Sequence, residues 1–68
     1  MTVEELLGLV IHQDALVEVN PTWADKMYAL PVDEAILAYS KHLVLGISNP
    51  EDKESIFSVT ISAKERKR

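Results

Sequence analysis

Apolar positions recur most regularly between Pro31 and Ile47, in the run PVDEAILAYSKHLVLGI. Ile36, Leu37, Ser40, Leu43, Val44 and Ile47 fall on one stripe of an α-helix. Pro31 suits a first helical turn because its missing N–H would have no partner there. Asp33 and Glu34 place negative charge at the positive end of the helix dipole, Lys41 and His42 come later, and Gly46 offers a stop. The spacing predicts a helix over 31–47 with an apolar flank in need of cover.

Upstream, Thr2-Val3-Glu4-Glu5 is a capping box, and Val3, Leu6, Leu7, Val10 and Val17 follow helical spacing. A helix over 2–18 is predicted, with a break near Gln13-Asp14. Gly8 weakens it by about 1 kcal/mol against alanine, which points to a close backbone approach. Ala15 to Val19 also alternates as a strand would, but an isolated strand needs a partner. Asn20-Pro21 ends this element. Trp23, Met27 and Leu30 then form a short amphipathic helix, with Thr22 and Asp25 as a second capping box.

The last third pulls two ways. Acids at Glu51, Asp52 and Glu54 and bases near the end suit a long helix. Phe57, Val59, Ile61 and Ala63 alternate with Ser58, Thr60 and Ser62, which suits a strand. Three other helices offer nothing to pair with, and this favours the helix. A strand here would have to pair with Ala15–Val19 or with its own copy in another subunit. A shift of 29 residues lays Val3-Glu4-Glu5 on Val32-Asp33-Glu34 and Asn20-Pro21 on Asn49-Pro50. Few positions are identical, but the similarity suggests two αα-hairpins. The expected fold is all-α: a single three- or four-helix domain over 1–63, followed by a basic tail over 64–68.

Composition adds a constraint. A chain of 68 residues without cysteine has neither disulfides nor thiolate metal sites to support a thin core. Self-association is the remaining route, and a homo-oligomer is expected. No run reaches the roughly 20 apolar residues of a membrane span, and the N-terminus does not read as a signal peptide. Absence of cysteine fits a reducing compartment, so the cytoplasm is the expected location. Up to Ala63 the chain has ten acids and three bases; residues 64–68 add four bases and one acid. An acidic body repels phosphate backbones and makes nucleic acid an improbable partner for it.

Candidate chemistry is sparse. His12 and His42 stand in no ligand-spaced motif, and no metal or cofactor is expected. The pairs Glu4/Glu5, Asp33/Glu34 and Glu51/Asp52 all sit at predicted helix starts, where the dipole accounts for them. No G-x-S-x-G turn exposes a serine, and Gly8 and Gly46 cannot make a phosphate loop. An enzyme is the least expected outcome. Trp23, Met27, Tyr28 and Tyr39 are the candidate partner-binding residues, since tryptophan and tyrosine anchor interfaces and methionine adapts to them. The expected function is that of an acidic interaction module, a regulator, adaptor or inhibitor acting as a homo-oligomer. The alternative is a nucleic-acid accessory role through Lys64, Arg66, Lys67 and Arg68. A small ligand held between subunits is neither suggested nor excluded.

Overall fold

The computed structural model describes residues 1–65, and its architecture corrects the all-α expectation. Strand accounts for 45% of the residues and helix for 20%, so the fold is mixed α/β. The elements in chain order are α1 (Val3–Leu7), β1 (Leu16–Pro21), β2 (Tyr28–Pro31), α2 (Val32–Tyr39), β3 (His42–Ser48) and β4 (Ser55–Glu65). The strands form one sheet in the order β2-β1-β4-β3. β1 and β4 run parallel at its centre, and the two outer strands pair antiparallel with them. The helices pack against each other, α1 beside β3 and α2 beside β1 and β2.

The predicted 31–47 helix breaks in two. α2 stops at Tyr39, and the chain turns into β3 two residues later. α2 buries Val32 and Ala35 and half-buries Ile36 and Tyr39, the i, i+3, i+4 and i+7 face, while Leu37 points out at 84% exposure. The remaining apolar run, His42 to Ser48, includes the β-branched Val44 and Ile47 and the helix-weakening Gly46. As a strand it satisfies its backbone against β4 and sets Val44 opposite the buried Ile61. A short apolar run fits a helix or a strand equally by periodicity, and here the available partner decides.

The predicted helix over 2–18 shrinks to five residues. Its capping box forms: the Glu5 N–H donates to Thr2 Oγ1 at 3.3 Å, and the Thr2 N–H donates to Glu5 Oε1 at 2.8 Å. Gly8 closes the helix, and a Cβ there would lie 2.8 Å from the Glu4 carbonyl oxygen. The close approach is to its own helix, not to another element. Thr2→Ala removes the cap and is expected to lower stability by about 1 kcal/mol, read as a shift in the urea midpoint.

The Ala15–Val19 alternation proves to be β1, with Val17 and Val19 fully buried beneath the helices. The short Trp23–Leu30 helix is absent. Thr22 and its neighbours form a turn in which the Thr22 N–H donates to the Ile61 carbonyl at 3.1 Å, and Tyr28 to Pro31 becomes an edge strand. The C-terminal segment is strand, not helix. It pairs with β1, one of the two partners open to it: Glu18 lies opposite Ser58 and Val19 opposite Val59. Val59 and Ile61 enter the core, where Val3, Leu7, Val17, Val19, Val32 and Ala35 complete the fully enclosed set.

The 29-residue shift lays helix start on helix start and strand on strand, so the order α-β-β occurs twice. Among the described residues there are no αα-hairpins, and the halves are not equivalent: β1 is central whereas β3 is an edge. β4 continues through Lys64 and Glu65, and Arg66, Lys67 and Arg68 lie outside the described residues. Among the described residues, no helix is long and apolar enough to cross a membrane.

Candidate functional site

β1 and β4 finish at the same end of the sheet, where β3 begins and α2 ends. Three rings meet there. Trp23 follows β1, Tyr39 closes α2 and His42 opens β3. The Trp23 and His42 rings stack at 4.9 Å and 26°; Tyr39 stands tilted to Trp23 at 6.3 Å and edge-on to His42 at 5.8 Å. His42 is held from behind by a 3.0 Å hydrogen bond that Nδ1–H donates to the Ser62 carbonyl. Trp23 remains 49% exposed, so the cluster presents an amphipathic ring face to solvent.

The four residues predicted as partner-binding are thus divided. Trp23 and Tyr39 come together. Met27 lies elsewhere, on the sheet face opposite the helices, where with Glu18, Asn20, Ser48, Asn49, Glu51 and Ser58 it lines an open cleft of about 510 Å³. Tyr28 stands on edge strand β2 opposite Val19, partly exposed and outside the ring cluster. Of the nucleic-acid candidates only Lys64 is described; it is exposed near the end of β4, and Arg66, Lys67 and Arg68 lie outside the described residues.

Two residues of this region have parts that the sequence does not assign. His42, a candidate there only for metal or acid–base work, completes the ring cluster: Tyr39 is close to it in the chain, but Trp23 is brought to it by the fold. Glu18 is the second. It is only 4% exposed, yet its two carboxylate oxygens accept the backbone N–H groups of Glu51 at 3.2 Å and Asp52 at 3.1 Å. These bonds latch the β3–β4 connection over the polar face of the sheet and satisfy a carboxylate that would otherwise be costly to bury. A strand reading of Leu16-Val17-Glu18-Val19 would have set Glu18 opposite the core, but not beneath a loop.

The carboxylate pairs keep structural positions. Glu5 serves the α1 cap, Asp33 Oδ1 accepts the Glu34 N–H at 2.9 Å at the start of α2, and Glu51 and Asp52 donate their backbone to Glu18. Among the described residues no group of three or more His, Asp or Glu side chains is arranged to hold a metal ion. The arrangement offers an aromatic platform at one end, a polar cleft on the open face and several uncovered aliphatic side chains. No family model, curated protein or solved structure matches this chain.

Proposed function

We propose that the chain is a small cytoplasmic, non-enzymatic interaction module that works as a homo-oligomer and engages another protein. One observation supports this reading: apolar surface left uncovered on a thin core. Among the described residues eight form the buried hydrophobic core, while Leu9, Ile11, Leu37, Leu45 and Ile47 are 55–89% exposed. Scattered exposed aliphatics are ordinary on large proteins, but here they rival the core in number. The flank expected on one helix is shared between α2 and β3, and Leu37, Leu45 and Ile47 remain in solvent. Sedimentation equilibrium from 1 to 100 µM tests the self-association; a monomer across that range would remove it.

The Trp23–Tyr39–His42 cluster is the face proposed for the second protein. Trp23→Ala is expected to lower stability by about 1–2 kcal/mol, because half the ring is buried against its neighbours. It is also expected to weaken capture of the partner. A variant with the thermal midpoint, oligomeric state and partner affinity of the wild type would contradict both roles.

A second reading, an accessory role on nucleic acid, draws on one observation. Lys26, Lys41 and Lys64 belong to segments that meet at the ring cluster. Glu4, Glu5, Asp25 and Glu65 share that end and oppose a phosphate backbone. Loss of DNA or RNA binding on deleting residues 64–68, with folding intact, would favour this reading over the first.

A further inference from the structure

On the sheet face turned away from the helices, strand register sets a row of side chains. Glu18 on β1 lies opposite Ala29 on β2 and Ser58 on β4, and Ser58 lies opposite Ser48 on β3. Register partners share a face, so Glu18, Ser58 and Ser48 stand side by side in the open cleft. At about 510 Å³ the cleft falls within the size of small-molecule sites, roughly 300–1,000 Å³. Such sites are mostly apolar. Among the described residues that line this one, only Met27 is apolar, so the ligand it suits is a polar one with a short aliphatic part.

Glu18 is 4% exposed and Ser58 5%, yet the fold completes neither. Each Glu18 oxygen accepts one backbone N–H, from Glu51 or Asp52, and each keeps a second lone pair. Those bonds solvate the charge without cancelling it. Among the described residues no Lys, Arg or His pairs with Glu18, and the lining residues include a second carboxylate, Glu51, and no base. Buried charges are ordinarily paired. The Ser58 hydroxyl has no hydrogen-bond partner among the described residues, although it belongs to the cleft wall. A side chain this buried is normally bonded. What the two lack in common is a cation that donates hydrogen bonds.

We propose that the cleft binds a small aliphatic diamine, with one ammonium group against Glu18 and Ser58 and the other against the Glu51 carboxylate at the rim. An ammonium carries three donors on one atom. It can reach a free lone pair of Glu18, the Ser58 Oγ and the side-chain carbonyl of the half-buried Asn20, all of which line the cleft. A guanidinium fits less well, because its fork needs two carboxylate oxygens together and both Glu18 oxygens already hold an N–H. Met27 supplies an adaptable apolar wall for the methylenes. Glu51 is exposed, which places the second negative charge at the mouth and favours a ligand with a cation at each end. The site lies within one subunit, so it stands or falls apart from the self-association proposed above.

Titration with 1,4-diaminobutane at constant pH and ionic strength, followed by the amide resonances of Glu51, Asp52 and Ser58, provides the test. 1-Butylamine and 1,4-butanediol are the comparisons, with one cationic end and with none. The expected result is shifts that saturate below 20 mM diamine, binding of butylamine at least threefold weaker, and no saturation with the diol. Ser58→Ala is expected to weaken diamine binding at least fivefold and to leave the urea midpoint unchanged, because the hydroxyl it removes has no partner in the fold. A merely structural serine would not give that combination. Glu51→Gln should reduce the affinity for the diamine to that for butylamine. Glu18→Gln should abolish binding; since it also loosens the β3–β4 connection, Ser58→Ala is the deciding variant. Shifts that do not saturate, an equal response to the diol, or wild-type affinity in Ser58→Ala would each overturn the site. Tighter binding of Nα-acetyl-lysine methylamide than of the diamine would overturn the assignment to a free diamine.

Discussion

Ile61→Ala is expected to remove most of the stability of the domain. Ile61 is fully buried in the middle of β4, which pairs with β1 on one side and β3 on the other. Its side chain therefore touches both halves of the fold, and truncation leaves a cavity that neither half can fill alone. Isoleucine to alanine in a core costs about 2–5 kcal/mol. A domain of this size has about 3–10 kcal/mol in total, so a loss near the upper end leaves a substantial unfolded population at 25 °C. Ile61→Val keeps the branch point and is expected to cost about 0.5–1.5 kcal/mol. Urea titrations followed by circular dichroism measure both. An alanine variant within 1 kcal/mol of the wild type would mean that Ile61 is not the bridge between the two halves.

Glu18→Ala should free the β3–β4 connection from the sheet. Both carboxylate oxygens accept a backbone N–H from that connection, and bonds to a charged acceptor contribute about 1.5–3 kcal/mol. Glu51 is exposed and Asp52 half-buried, so water replaces part of what is lost. The net cost is expected near 2 kcal/mol. Glu18→Gln retains one acceptor oxygen and should fall between the two. Hydrogen exchange at Glu51 and Asp52 gives the local readout, because core amides would follow only the global change. Unaltered exchange at those two amides would show that Glu18 does not hold the loop.

Much of the local detail was legible. The Thr2–Glu5 capping box, the Asn-Pro punctuation and the alternation of Phe57, Val59 and Ile61 with Ser58, Thr60 and Ser62 all have counterparts in the fold. A strand cannot be assigned to one apolar run taken alone. Ala15–Val19 and 55–63 each alternate, and each by itself lacks a partner, which favours a helix. Each is the other's partner. Once they pair in parallel, the chain between them must cross over the sheet, and α2 lies on that connection.

Site residues show the same division. Trp23 and Tyr39 could be named from their chemistry, but His42 and Glu18 acquire their roles from residues 19 and 33 positions away. What the chain determined by itself was local: where turns fall, how α1 is capped, and which side chains are apolar. Whether an apolar run becomes helix or strand was decided by tertiary structure. A strand's backbone hydrogen bonds lie between segments, so its stability cannot be read from one segment, whereas a helix closes its bonds within itself.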